Sequence, residues 1–130
     1  MTTAGTDLDW ILDELSDRVP EVGQAVLLSH DGLLIARSRA LDKEAADQFA
    51  AMASALFGIA RAAGHKFDGG PLRQAVIEYD HAVMFVAAGG ANTCLALWTD
   101  PSADMERLAY EVTTTVRRVG SYLSTGSRTH

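Results

Sequence analysis

The chain contains one cysteine, Cys94, among its 130 residues. A single cysteine excludes an internal disulfide, which indicates a reducing compartment. It also excludes a structural zinc site built on several thiolates, and the four histidines show no metal-ligand spacing. The first ten residues include Asp7 and Asp9 and lack the basic-then-apolar order of a secretory signal. We therefore expect a cytoplasmic protein without a metal site, with any attachment to a membrane made through its partners.

Basic residues are scarce: 11 Lys and Arg stand against 17 Asp and Glu, for a net charge of −6. No stretch forms the basic patch that nucleic-acid binding requires, so we exclude nucleic acid as a partner. The acidic residues concentrate in the first 21 positions, where only Arg18 opposes them. Such a stretch is typical of a solvated helix face; the alternative is a surface that attracts a basic partner.

Catalytic and nucleotide-binding motifs are also missing. The sequence contains neither GxxxxGK[ST] nor GxGxxG. Its two Gly-Gly pairs fall at predicted turns, where glycine is favoured because it tolerates positive φ. Cys94 lies in a strongly apolar segment, which favours a buried, unreactive thiol over a nucleophile. We predict no catalytic residue and no cofactor, and a binding protein rather than an enzyme.

No apolar run reaches the ~20 residues that a membrane-spanning helix requires, so we expect no insertion into a membrane. One uncharged stretch, residues 48–60, lies in an alanine-rich helix. A helix that is apolar nearly all round is buried on more than one side. On a helical wheel its large side chains share one face, which we expect to press on the core: Phe49, Met52, Leu56 and Ile59.

The two flanks of this helix carry small residues, which let a second helix approach at the short end of the ~8–10 Å interaxial range. We therefore predict a dimer seam on one flank, formed by Ala46, Ala50, Ala53 and Phe57. The opposite flank stays open as the alternative, with Ala51, Ala55, Gly58 and Ala62. A third interpretation is that alanine is frequent here only because it has the best helix propensity.

A narrow polar strip remains opposite the predicted core face of this helix. It consists of Asp47, Ser54 and Arg61. Because these side chains interrupt an otherwise apolar surface, we predict that they face outward and contact a partner protein.

Apolar periodicity and turn signals predict the order α-β-β-α-β-β-β-α in a single domain over residues 6–123. Residues 1–5 and 124–130 are expected to be flexible. The predicted helices cover residues 6–19, 42–63 and 100–123, with Gly64 ending the second and Asp100 capping the third. The predicted strands cover 24–29, 33–38, 73–79, 83–88 and 92–98, with tight turns at Asp31-Gly32 and Asp80-His81. The first, fourth and fifth strands are apolar on both faces and should be central, whereas the second and third carry charges and should be edges. Short connections favour a mostly antiparallel five-stranded sheet, with helices on both faces.

Three segments together resemble the Roadblock/dynein light chain family over roughly residues 7–123. They are the hairpin AVLLSHDGLLIARS, the alanine-rich second helix, and the hairpin VMFVAAGGANTCLALW that leads into an amphipathic helix. The resemblance implies a profilin-like α/β fold and a homodimer. In that family the second helices lie side by side, and the third strands pair to join two sheets into one of ten strands. Carried over, the interface would include Ala46, Ala50, Ala53 and Phe57 of the helix and Arg73, Ala75 and Ile77 of the strand.

The resemblance also implies a function. Members of the family are scaffolds and regulators of small Ras-like GTPases. Bacterial members of the MglB type bind such a GTPase through their second helices and stimulate hydrolysis without inserting an arginine. Similar stand-alone domains occur in conservon operons beside a sensor kinase and a GTPase. The expectation is a non-catalytic, dimeric regulator with these partners.

The main alternative is a small-ligand sensor of the PAS or GAF type, since those domains also place helices around an antiparallel sheet. Such sensors need a concave pocket with a few convergent polar groups. The sheet faces of this chain are filled with Val, Leu, Ala and Met, and few buried polar candidates exist to line such a pocket. A catalytic role is the third and least favoured interpretation.

Overall fold

Eight elements follow one another in the predicted order in a computed structural model, which describes residues 4–90 and 92–128 and the side chains of residues 8–90 and 92–123. The helices are α1 (Ala4–Arg18), α2 (Lys43–Lys66) and α3 (Met105–Arg128). The strands are β1 (Val22–Ser29), β2 (Leu34–Arg37), β3 (Gln74–Tyr79), β4 (Ala82–Ala88) and β5 (Thr93–Thr99). The predicted order of elements is thus confirmed.

The five strands form one sheet in the order β2-β1-β5-β4-β3. Every pair of neighbours is antiparallel. The three apolar strands β1, β5 and β4 lie in the middle and are buried along most of their length. The two charged strands β2 and β3 lie at the edges. Both the antiparallel pairing and the assignment of the edges are therefore confirmed.

Two tight turns fix the register of the outer hairpins. In the loop between β1 and β2, Gly32 has φ of +89° and its N–H donates to the carbonyl of Ser29 at 2.9 Å. A left-handed residue at this point explains why glycine follows Asp31. Asp80 and His81 join β3 to β4 as a two-residue turn, since Tyr79 pairs directly with Ala82. Both turns fall where the sequence predicts them.

The alternation of side chains along the strands divides the core into two layers. Leu27, Phe85, Leu95 and Leu97 face α1 and α3, in a cluster that also contains Ile11, Leu12 and Leu108. Val26, Leu28, Met84 and Val86 face α2. Burying each such large side chain contributes ~1.5–3 kcal/mol. The helices thus cover both faces of the sheet, as predicted.

Several predicted helix boundaries are wrong. The α1 backbone begins at Ala4 rather than residue 6, and α3 continues to Arg128 rather than residue 123. The predicted cap of α3, Asp100, instead accepts hydrogen bonds from the N–H and hydroxyl of Ser102 in a turn. Asp104 caps the helix, because its carboxylate accepts from the N–H of Glu106 at 3.0 Å. Of the segments expected to be flexible, residues 1–3 and 129–130 lie outside the described residues.

Helix α2 also extends one turn beyond its predicted end. Gly64, predicted as the C-terminal stop, lies inside the helix, and the N–H of Phe67 closes it on the carbonyl of Ala63 at 3.0 Å. The chain then folds back over the helix end, where the N–H of Gly69 donates to the carbonyl of Gly64 at 2.7 Å. A Cβ at Gly64 would lie 3.1 Å from the carbonyl oxygen of Gly70. Glycine is therefore favoured at position 64 by close packing of the loop.

Candidate functional site

The orientation of α2 on the sheet differs from the predicted one. Ala46, Phe49, Ala50, Ala53 and Phe57 are its buried residues. Of the predicted core face, Phe49 is buried and Leu56 is half-buried, but Met52 and Ile59 are 60% and 72% exposed. The prediction that Met52 and Ile59 press on the sheet is wrong.

The small side chains of α2 explain this orientation. Ala46, Ala50 and Ala53 are fully buried, which lets the helix lie close to the sheet, while Phe49 and Phe57 fill the space on either side. A hydrogen bond from the hydroxyl of Ser54 to the carbonyl of His30, at 3.0 Å, fixes the rotation of the helix against the β1–β2 loop. Close approach of a helix to a flat sheet thus favours alanine over the larger residues.

This orientation changes the predicted dimer seam. Ala46, Ala50, Ala53 and Phe57 are at most 3% exposed because they pack on the chain's own sheet. A second subunit cannot contact side chains that are already covered, so the placement of the seam on this flank is wrong. The alternative flank is the exposed one, and it carries Ala51, Ala55, Gly58 and Ala62. Met52 and Ile59 lie beside it and make the exposed side of α2 strongly apolar.

The polar strip of α2 also lies elsewhere than predicted. Ser54 is half-buried and bonded to the β1–β2 loop, so it does not face outward. Asp47 is exposed and forms an ion pair with Lys43 at 2.9 Å. Arg61 is exposed, and its Nη1 lies 3.1 Å from Nδ1 of His30. Only Asp47 and Arg61 remain candidates for partner contact.

Strand β3 presents the open edge of the sheet. The carbonyl of Arg73 accepts a hydrogen bond from the N–H of Ala88, so Arg73 and every second residue after it direct their backbone groups toward β4. The backbone groups of Gln74, Val76 and Glu78 consequently point away from the sheet. An edge with free N–H and C=O groups is a template for pairing with another chain.

The open edge and the exposed side of α2 lie on the same side of the sheet. Ala75 and Ile77 pair with Val86 and Met84, whose side chains face α2, so Ala75 and Ile77 point the same way. Both are half-buried. Together with Met52 and Ile59 they define an apolar surface, which we call the α2–β3 surface. Apolar side chains left exposed on one face of a sheet indicate an interaction site.

The opposite edge, strand β2, is covered by α1. The N–H groups of Arg37 and Arg39 point away from β1, because Ser38 between them donates its N–H to Ala25. Asp9 accepts from the N–H of Arg37 at 3.0 Å, and Asp13 accepts from the N–H of Arg39 at 2.9 Å. These two carboxylates lie one helical turn apart and cap the outward N–H groups of this edge.

Glu14 and Asp17 of α1 likewise form ion pairs within the chain. Glu14 pairs with Arg118 at 2.7 Å and with Arg18, and these arginines lower its pKa. Arg18 also bridges to Glu111 of α3 at 3.1 Å. Asp17 lies 3.4 Å from the guanidinium of Arg39. The acidic stretch therefore holds α1 against α3 and β2, a role that neither sequence interpretation anticipated.

Few groups in the described part of the chain have the chemistry of catalysis. No set of three or more His, Cys, Asp and Glu residues there is arranged to hold a metal ion. Cys94 is fully buried in the sheet, and burial raises the pKa of its thiol to about 11. A thiol with so high a pKa is a poor nucleophile at neutral pH. Within the same residues, no helix is long and apolar enough to cross a membrane.

Fold and site together define a mixed α/β domain whose exposed features are a strand edge and an apolar helix surface. The family model of the Roadblock/LC7 domain matches residues 8–99, and the chain belongs to this family. No curated protein sequence is significantly similar to it.

Solved structures agree with this membership. A Roadblock/LC7 domain from Streptomyces avermitilis is 44% identical, with a TM-score of 0.86 over 89% of this chain and 97% of that chain. A second Roadblock/LC7 domain from the same organism is 32% identical, with a TM-score of 0.70 over 85% of this chain and 96% of that chain. Myxococcus xanthus MglB is 10% identical, with a TM-score of 0.81 over 92% of this chain and 97% of that chain, and shares the fold.

Proposed function

We propose that this chain is a homodimeric, non-catalytic regulator that binds a small Ras-like GTPase and modulates its GTP hydrolysis. Membership of the Roadblock/LC7 family supports this function, since the family works on such GTPases. The observation that carries the proposal is the α2–β3 surface. It joins an exposed apolar helix side to an unpaired strand edge, and a second copy of the chain offers the same two features.

Symmetry determines how two copies would meet. An edge strand pairs antiparallel with its own copy only across a two-fold axis perpendicular to the sheet. This axis places both α2 helices on the same face of a joined sheet of ten strands. Residues directly opposite each other in antiparallel strands share a face of the sheet. The axis must therefore lie midway between one residue of β3 and the same residue of the second copy. Ala75 and Ile77 would then lie under the two helices, and Arg73 at the end of the pairing.

Apolar burial would offset much of the free-energy cost of forming a dimer. Met52 and Ile59 are 60% and 72% exposed in the single chain. Burying these two side chains in both subunits would contribute about 4–8 kcal/mol, comparable with the ~4–15 kcal/mol that association costs. Hydrogen bonds between the two β3 strands and the small residues Ala51, Ala55 and Ala62 add to this. The dimer seam is therefore proposed on the exposed side of α2, in place of the buried flank.

The GTPase would bind on the outer surface of the two paired α2 helices. Asp47 and Arg61 are the exposed charged residues that we propose as contacts. Ser54 is left out of this set because its hydroxyl is bonded to His30. A sensor kinase encoded in the same operon is the further partner that the family resemblance implies.

The experiment is a binding and single-turnover hydrolysis assay with a Ras-like GTPase encoded near this gene. We expect the dimer to bind the GTPase and to change its hydrolysis rate. Asp47→Lys should weaken binding about tenfold, because it reverses an exposed charge, while the dimer mass stays unchanged. Glu106→Lys, the same reversal on α3, is the matched control. A wild-type dimer that neither binds the GTPase nor alters its rate would overturn the proposal.

A further inference from the structure

A cleft of about 920 Å³ lies under the C-terminal half of α2. The β1–β2 loop, the chain that folds back after α2 and the end of β4 form its other walls. Its lining includes His30, Phe57, Arg61, His65, Asp68 and Leu72. The volume lies within the ~300–1,000 Å³ of typical small-molecule sites. The cleft lies at the C-terminal end of α2, and the sequence pattern did not predict it.

His30 is rigidly held at one side of this cleft. Its backbone N–H donates to the carbonyl of Asn92 at 3.0 Å, and its backbone carbonyl accepts from the hydroxyl of Ser54. Its ring packs on Phe57 with the centroids 5.7 Å apart. Backbone and ring are thus fixed independently, which is the arrangement of a preorganised binding group.

One nitrogen of this ring lacks a partner among the described residues. Arg61 has only N–H donors, so the 3.1 Å contact to Nδ1 makes that nitrogen an acceptor and leaves the proton on Nε2. Nε2 is buried and forms no hydrogen bond. A buried N–H without an acceptor costs ~1–3 kcal/mol, so an oxygen that reached it would be stabilised.

The remaining groups of the cleft also favour a ligand with negative oxygen atoms at one end. Arg61 forms no ion pair with any carboxylate of the described chain, and it keeps further N–H donors free beside His30. The C-terminal end of α2 by itself disfavours an anion, and among the described residues only its Gly64 carbonyl accepts from beyond the helix cap, from the N–H of Gly69. Asp68 is the one acidic residue in the lining, and it is exposed.

We propose that this cleft binds a small organic anion, with its phosphate or carboxylate on Arg61 and His30 and its apolar body against Phe57 and Leu72. The cleft includes none of the residues that define the α2–β3 surface, but Gly58 and Ala62 of the exposed α2 flank lie at its border. Because Phe57 and Arg61 belong to α2, a bound ligand would contact the same helix that the proposed partner uses.

The test uses phenyl phosphate, benzoate and inorganic phosphate as probes, titrated into the full chain while the ring nitrogens of His30 are followed by ¹⁵N NMR. We expect a saturable shift of Nε2 with phenyl phosphate or benzoate, and weaker binding of inorganic phosphate because it lacks the apolar body. Saturation by phenyl phosphate alone assigns a phosphate site, and saturation by benzoate alone assigns a carboxylate site.

Two variants and two matched controls decide the location of the site. Arg61→Gln should weaken binding about tenfold through loss of a charge-assisted hydrogen bond, whereas Arg117→Gln on α3 should not. Gly58 also lines the cleft, so the larger side chain of Gly58→Leu should block it. The helix should be retained, because a Cβ at this position would meet nothing within 4 Å. Gly120→Leu, equally unhindered on α3, is its control.

Absence of a saturable His30 shift with all three probes up to millimolar concentrations would overturn the proposal. An unchanged affinity in both Arg61→Gln and Gly58→Leu would also overturn it. The titration is independent of the GTPase assay, so failure of either proposal leaves the other standing.

Discussion

The two edges of the sheet differ in whether their outward backbone N–H groups are hydrogen-bonded within the chain. At β2, the carboxylates of Asp9 and Asp13 accept hydrogen bonds from the outward N–H groups of Arg37 and Arg39. At β3, the outward backbone groups of Gln74, Val76 and Glu78 have no such cap, and exposed apolar residues of α2 lie on the same side of the sheet. One edge is closed by its own chain and the other is left ready for a partner.

This difference limits assembly. A sheet with two open edges can add strands at both sides, which leads to open-ended association. With β2 capped, the proposed pairing of β3 with its own copy would use the remaining edge and end at two chains. The acidic residues of α1 block strand pairing at β2 and thereby leave β3, on the apolar side of α2, as the edge at which a second chain can pair.

The largest effect is expected from a change that closes the open edge. Val76→Pro removes the central one of the outward N–H groups of β3. The pairing with β4 should stay intact, because proline is tolerated where the N–H faces away from the sheet. We expect a folded monomer by light scattering and circular dichroism. Val76→Ala, which keeps the N–H, is the control and should remain a dimer. A dimeric Val76→Pro variant would move the interface away from β3.

A smaller but still large effect is expected from the helix part of the surface. Ile59→Glu would bury a carboxylate in the dimer seam and should weaken dimerisation about 100-fold or more. Sedimentation velocity over a concentration series measures this change. Tyr110→Glu, at a 69% exposed position on α3, is the control. Equal dimer stability in the two variants would exclude Ile59 from the interface.

At the capped edge the expected effect is on folding. Asp9→Ala and Asp13→Ala should each lower the free energy of unfolding by about 1–2 kcal/mol, because a charge-assisted hydrogen bond to a backbone N–H is lost. Urea denaturation measures this loss. Asp17→Ala removes only an exposed ion pair and should change stability by less than ~0.5 kcal/mol. If Asp17→Ala lowers the free energy of unfolding as much as the other two changes do, the hydrogen bonds of Asp9 and Asp13 to β2 do not stabilise this edge.

The smallest effect is expected at the centre of the sheet, between the two edges. Burial raises the pKa of Cys94 to about 11 from 9.0, so the thiol stays protonated when the unfolded thiol begins to ionise. Stability should therefore be unaffected at neutral pH and fall as the pH rises above 9.0, toward 11. Cys94→Ala should lose this fall relative to the native chain. A disulfide-exchange reagent that labels native Cys94 rapidly at neutral pH would contradict its burial.

The order of elements and the edges could be predicted from sequence because each depends on local patterns. Strands apolar on both faces must be central, and strands with charges belong at edges. The dipeptides Asp31-Gly32 and Asp80-His81 determine turns within a few residues. The prediction of the α3 cap was wrong because two aspartates precede the helix. Asp100-Pro101 is the stronger sequence signal, but Asp104 accepts the hydrogen bonds of the first helical turn.

The face of α2 could not be predicted from its wheel, because two of its sides are apolar. The prediction assigned the largest side chains, including Met52 and Ile59, to the buried face. In the structure the buried face consists of alanines flanked by Phe49 and Phe57, because the helix packs closely on the sheet. The positions of the two phenylalanines were the available signal for the buried face. The caps on β2 and the cleft beside His30 depend on how distant segments lie together, so the sequence gives no local sign of either.

The most direct test of the account is the mass of the native chain in solution. Each chain has a mass of 13.9 kDa. Size-exclusion chromatography with multi-angle light scattering at micromolar concentration should give twice 13.9 kDa, about 28 kDa, unchanged as the concentration rises further. A mass of 13.9 kDa across that range would contradict the claim that the open edge and the apolar side of α2 are built for a second copy.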